Sequence, residues 1–233
     1  MRLDRYLSKT LRVSNKQVKQ WLECDQITLD DAPCKQGETL VNRFSRIQVE
    51  GRPLAHDTPL YLLMHKPAGV LSATKDREHT TVIELIEAQY PHLDSSDLHL
   101  AGRLDRATTG LLLLTNDGAW SKALTRPEQK IPKTYLVTTE HPIPPEAVER
   151  FAQGVWFDKE GVTTAPAQMQ LLSDTRARLT IYEGMHHQVK RMFALYHNPV
   201  VALHRERMGN LVLDSELAEG QCRPLSRQEI EGI

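Results

Sequence analysis

Three stretches of the chain carry side chains able to do chemistry. The first is AGRLDRATTGLLLLTNDG, residues 101–118, where Asp105 lies between Arg103 and a Thr-Thr-Gly turn. A carboxylate there can serve as nucleophile or general base. The same residue type also forms turns and caps helices, with Thr108 and Thr109 ready to receive its hydrogen bonds. The second is PKTYLV, residues 132–137, with Tyr135 in a strand-like context that suits a core position equally well. The third is EGMHHQVKRMF, residues 183–193, with His186, His187, Lys190 and Arg191 together. His197 and His204 follow soon after, but no HxxxH pair and no companion Cys occurs there, so no metal site is expected. A basic helix edge fits this third stretch better. No Gly-rich phosphate loop and no Ser/His partner stands near Asp105.

The elements that must position these residues come from a chain of 233 residues, enough for one large domain or a small one joined to a medium one. It is 40% hydrophobic and 25% charged, ordinary values for a globular protein with a sizeable core. No run of about 18 apolar residues occurs, which excludes a helical membrane span. MRLDRYLSK at the start lacks the apolar centre of a secretory signal. Cys24, Cys34 and Cys222 are isolated and odd in number, which points to a reducing cytoplasm and away from a disulfide framework. Net charge is −1, so total charge announces no nucleic-acid partner, but residues 1–54 carry ten Lys/Arg against seven Asp/Glu. Six of those ten, Arg2, Arg5, Lys9, Arg12, Lys16 and Lys19, fall in the first 19 positions.

That basic segment reads as two short helices followed by strands. Leu3, Tyr6, Leu7 and Leu11 follow helical spacing. Ser14 with Gln17 is a capping-box signature that opens a second helix with Val18, Trp21 and Leu22 inside. Residues 26–30 and 45–51 alternate as strands. GRPLAHDTP, residues 51–59, reads as a linker region. From residue 60 strands alternate with short helices: strands are expected over 61–66, 111–115, 134–140 and 178–184. Helices are expected over 119–124, 144–154 and 187–197, and Ser226 with Glu229 marks a last capped helix. No internal repeat is present.

Residues 1–51, opening RLDRYL, resemble the S4 RNA-binding domain, a compact α-L module. The blocks GRLDRATTGLLLLTNDG, KTYLV and EGMHHQVKRM, in that order and spacing, resemble the three motifs of the pseudouridine synthases of the ribosomal small-subunit type. HKPAGVLSAT, residues 65–74, is similar to the segment that opens their catalytic domain. The resemblance covers nearly the whole chain. It implies an α+β protein: an S4-like domain at 1–54, a linker at 55–59, and a mixed, mainly antiparallel catalytic domain at 60–233. HQVKRM followed by HRERMG is most similar to the members that act on 16S rRNA, which by resemblance implies uridine 516 as the nucleotide modified.

Pseudouridine formation breaks the N1–C1′ bond, turns the uracil and rejoins it through C5, so the resemblance implies no cofactor and no metal. It implies Asp105 as the catalytic carboxylate, by covalent attack or by removal of a ribose proton. Lys190 matches the basic residue that pairs with it, and Tyr135 the tyrosine that stacks on the base. The base must leave its stack to be reached, and Arg103 is the candidate to occupy the vacated space. Val189 would line the pocket; His187 and Arg191, with Arg2, Arg5, Lys9, Lys16 and Lys19 of the first domain, are the expected RNA contacts. The partner is 16S rRNA or an assembly intermediate of the small subunit, bound by a monomer.

The chain departs from the pattern in places, among them Asn15-Lys16 after Ser14 where the S4 pattern has Arg. Cys24 stands where the S4 pattern has Gly, His65 where the catalytic domain opens with Asn, and Met185 where Arg usually follows Glu-Gly. His65 and Met185 motivate a competing reading as a non-catalytic RNA-binding assembly factor. The same chemistry on 23S rRNA is the other alternative.

Overall fold

The computed structural model describes all 233 residues. The chain divides into two compact units, 1–59 and 60–233. In the first, helices Leu3–Leu11 and Asn15–Glu23 pack beside a four-stranded antiparallel sheet that includes Ile27–Leu29 and Ile47–Val49. Ser14 Oγ accepts from the Gln17 N–H at 3.2 Å and so starts the second helix. Leu3, Leu7, Val18, Trp21, Ile27 and Ile47 form the core. The first two of these and the next two are the helix faces that the spacing marks. Cys24 ends the second helix with φ −92, and the left-handed residue is Asp25, φ 55. The turn therefore does not require glycine at 24.

The second unit is α+β, as expected. Its nine-stranded sheet runs Gln168–Ser173, Arg176–Ile181, Lys133–Thr139, Val200–Met208, Thr109–Thr115, Tyr61–Lys66 and Cys222–Pro224, with two short strands attached at its side. Every pairing is antiparallel except that of Val200–Met208 with Thr109–Thr115. Leu111 to Leu114 are fully buried, which is why the leucine run reads as a central strand and not as an alternating one. One face packs against helices Val82–Gln89, Glu146–Ala152 and Gln188–Ala194 through Ile86, Phe151 and Phe193. The opposite face holds Leu63, Leu111, Leu113 and Met208 against the helix Gly118–Thr125.

Register puts one row of residues across the centre of this sheet. Leu179 opposes Tyr135, Tyr135 opposes Arg205, Arg205 opposes Gly110, and Gly110 opposes Lys66. Directly opposed residues point to the same face. Tyr135, Arg205 and Lys66 therefore stand together. Gly110 makes this possible: its φ is +106, and a Cβ there would lie 2.3 Å from the Arg205 carbonyl oxygen. No helix is long and apolar enough to cross a membrane.

Candidate active site

Asp105 occupies the turn that leads into the strand Thr109–Thr115. Its backbone carbonyl accepts from the Thr108 N–H at 3.0 Å, so the main chain does form a turn. Its carboxylate does something else. Oδ2 lies 3.1 Å from Lys190 Nζ and Oδ1 lies 3.5 Å from His187 Nε2. Those partners come from the start of the helix Gln188–Ala194, far away in sequence. His187 caps that helix with φ 52, a left-handed conformation that turns its ring toward Asp105. A carboxylate with a lysine and a histidine beside it and a partly open face can attack an electrophilic carbon or remove a proton.

The loop around Asp105 is held by the segment 65–74. The Lys66 ammonium is fully buried and donates to three carbonyls: Pro67 at 2.9 Å, Arg106 at 3.2 Å and Thr108 at 2.9 Å. Burial pushes its pKa down to about 8, opposed by the charges of Asp105 and Glu219. Ser72 Oγ donates to the Leu104 carbonyl at 2.8 Å and accepts from the Leu104 N–H at 3.1 Å. Arg106 Nε donates to the Gly69 carbonyl, and the Gly69 N–H donates back to the Arg106 carbonyl. Both backbone neighbours of Asp105 are thus fixed. The short motif HKPAGVLSAT carried this signal, but the three-carbonyl role of Lys66 depends on a loop about 40 residues away.

A small cavity of about 80 Å³ opens beside Asp105. Its walls include Arg103, Thr108, Tyr135, Met185, Val189 and Lys190. Tyr135 is buried, with its ring at the cavity wall. Arg103 is exposed at the rim. Thr108 Oγ1 is buried there without a hydrogen-bond partner. The loop 183–188 is shaped by Gln188, which accepts from the Met185 N–H at 3.0 Å and donates to Glu183 at 2.7 Å. Sequence reasoning passed over Lys66, Ser72 and Gln188, because each acts on main chain or on another side chain of the protein.

The structure thus brings together Asp105, Tyr135, Lys190, Arg103, Val189 and His187. It sets Arg191 apart: its guanidinium pairs with Glu160 at 2.7 and 3.0 Å and lies 3.7 Å from the Phe157 ring centre. A carboxylate and an aromatic face thus hold this arginine outside the Asp105 cavity. His65 is likewise engaged within the protein, with Nδ1 2.7 Å from the Leu217 carbonyl and the ring edge-on to His204. In the first unit Arg2, Arg5 and Lys19 line one cleft with Lys35, while Lys9 and Lys16 are exposed elsewhere on its surface. No three His, Cys, Asp or Glu side chains converge in metal-binding geometry.

Comparison with known proteins gives the family. Residues 60–195 match the family model described as RNA pseudouridylate synthase. A Yersinia pestis protein named ribosomal small subunit pseudouridine synthase A is 42% identical over 100% of this chain and 98% of its own length. A Pseudomonas aeruginosa protein of the same name is 43% identical over 99% of both chains. A crystal structure of a pseudouridylate synthase, 36% identical, superposes with a TM-score of 0.71 over 100% of this chain and 99% of that one. The matched segment contains the Asp105 turn, the strand that carries Tyr135 and the Lys190 helix, and the likeness to named relatives runs the full length. The chain belongs to the RNA pseudouridylate synthase family and is a pseudouridine synthase.

Proposed function

We propose that this enzyme isomerises a uridine of 16S rRNA in the small ribosomal subunit, with Asp105 as its catalytic carboxylate. The observation that carries the reading is the Asp105 carboxylate, 3.1 Å from Lys190 Nζ at the cavity that Tyr135 walls. Relatives named for the ribosomal small subunit match the whole chain, which supports the choice of RNA. Uridine 516 is the position implied by the resemblance of the motifs.

In the reaction, the uridine leaves its stack and enters beside Tyr135, whose ring stacks on the uracil. Asp105 either attacks C1′, forming an ester as the N1–C1′ bond breaks, or takes a ribose proton as that bond breaks. The uracil turns and a C5–C1′ bond forms, with the Asp105–C1′ bond breaking in the first route and the ribose proton returning from Asp105 in the second; the proton at C5 is then lost and N1 gains one. Atoms and electrons balance without a redox partner. Lys190 and His187 hold the carboxylate oriented. Arg103 at the rim occupies the space that the uridine leaves. The S4-like unit, residues 1–59, binds flanking RNA through Arg2, Arg5, Lys9, Lys16 and Lys19, and the enzyme works in the cytoplasm.

The test is incubation with an unmodified 16S transcript or a small-subunit assembly intermediate, followed by chemical mapping of pseudouridine. Asp105→Asn abolishes product and leaves RNA affinity within about tenfold, because the fold and the basic surfaces are intact. Residual turnover near wild type would remove Asp105 from the chemistry. Modification confined to 23S rRNA would move the target.

A further inference from the structure

A second cavity, about 510 Å³, lies on the other flank of Tyr135 and Arg103. It shares Gly184 and Met185 with the Asp105 cavity and excludes Asp105 and Lys190. Its charged lining is Arg103, Arg126, Lys133 and Arg205 against one carboxylate, Glu183. Glu183 Oε1 is already engaged, accepting from the Ala165 N–H at 2.9 Å and from Gln188 Nε2 at 2.7 Å.

The floor of this cavity is unusual. Arg205 is 2% exposed, so it has lost nearly all its water. Nε donates to the Leu111 carbonyl at 2.7 Å, yet Nη2 is buried without a partner. No Arg205–carboxylate ion pair accompanies it, and a second cation, Lys133, lines the same cavity, its Nζ donating to the Ile131 carbonyl at 2.9 Å. Burial lowers the pKa of Lys133, and the charge of Arg205 lowers it further. A buried guanidinium with an idle donor beside a second cation is costly unless an anion joins them. Two observations therefore converge: a concave basic surface and an unsatisfied buried donor on one of the arginines that line it.

We infer that this cavity holds the backbone phosphate of a nucleotide next to the target uridine. The inference rests on the reading of Asp105 as the modifying centre of an RNA enzyme. Tyr135 and Arg103 form the wall between the two cavities, so a strand that places one base against Tyr135 brings an adjacent phosphate toward Lys133 and Arg205. Arg126 and Arg103, both exposed, close over it from the rim. A planar guanidinium suits phosphate because its parallel N–H groups meet two oxygens. Such a contact would draw the uridine out of its stack by holding the chain on one side of it.

The test uses the full-length enzyme and a 16S rRNA fragment spanning the modified uridine. Each linkage around that uridine is replaced in turn by a neutral methylphosphonate. Binding and single-turnover rate are measured with wild type and with Lys133→Met and Arg126→Ala, whose folding is checked by thermal melting. Arg205 is left in place because it also holds strand main chain. One linkage adjacent to the uridine is expected to weaken wild-type binding about tenfold when neutral, as loss of a charge-assisted contact does. The variants are expected to bind unmodified RNA correspondingly worse and to be indifferent to that one linkage. Equal linkage penalties in wild type and variants overturn the inference. So does a coupled penalty that appears on removal of a neighbouring base and not of the charge. Binding needs no turnover, so a fragment that binds with this coupling but forms no pseudouridine counts against the proposed reaction on that RNA and leaves the phosphate contact standing.

Discussion

At the scale of single residues, Asp105 shows how one residue serves the turn with its main chain and the site with its side chain. Its carbonyl closes the turn with Thr108, and its carboxylate is left for Lys190 and His187. Tyr135 is similarly divided, buried in the sheet and exposed only to the cavity. Tyr135→Leu keeps an apolar side chain in the row and removes the aromatic face. RNA affinity at the target should fall by about 1–3 kcal/mol, the worth of one stacked base, with little change in melting temperature; a filter-binding titration and a thermal melt check both. Lys66 offers a pH test. Its folded pKa, about 8, lies below the ordinary 10.5, so the unfolded chain holds the proton more tightly. Below pH 8 both states are charged and the full cost of burying the ammonium is present. Between 8 and 10.5 the folded state alone is neutral, and stability rises with pH. Urea unfolding at pH 7.5 and 9.5 should show wild type gaining on Lys66→Met as pH increases; a constant difference between them would deny that Lys66 is buried charged.

At the scale of elements, the sheet places the site by register. Gly110 lets the only parallel pair of strands close tightly enough for Arg205 to stand between Tyr135 and Lys66. Gly110→Ala forces a methyl group into the Arg205 backbone and strains a left-handed φ. It should cost at least about 3 kcal/mol, or prevent folding, as overpacking beside main chain does; denaturant unfolding measures it. Much of this element plan was legible in the sequence. The strand at 61–66 was readable because Pro67 and Gly69 end it, and the capped helix at 227–231 because Ser226 and Glu229 bond each other's backbone N–H. The helix Val82–Gln89 was passed over, although Thr81 and Glu84 form a complete capping box and Val82, Ile83 and Ile86 are buried. The helix expected over 187–197 is shorter, Gln188–Ala194, because His187 is left-handed and the chain turns again before His197.

At the scale of the whole molecule, total charge is nearly zero while particular surfaces are basic. The exposed Lys9, Lys16 and Lys19 lie in the first unit, which has its own core. Lys9→Gln, Lys16→Gln and Lys19→Gln combined should weaken RNA binding and flatten its salt dependence. Each lost phosphate contact lowers the slope of log K against log salt by roughly 0.7–0.9. Turnover of RNA already bound should be unchanged. An unaltered slope would show that this face does not meet RNA.

What the sequence determined by itself was local: which stretches are strands and helices, read from periodicity and caps, which act over a few positions. Asp105, Tyr135 and Lys190 became candidates through the resemblance of their motifs to those of the pseudouridine synthases. Only the tertiary structure decided that Arg191 is committed to Glu160 and Phe157, that Lys66 ties the Asp105 loop through three carbonyls, and that Arg205 keeps an idle donor beside Tyr135. Those facts depend on strand register and on which long side chain finds which distant partner. A lysine or arginine side chain reaches several ångströms from its backbone, and its partner is chosen by packing across the fold.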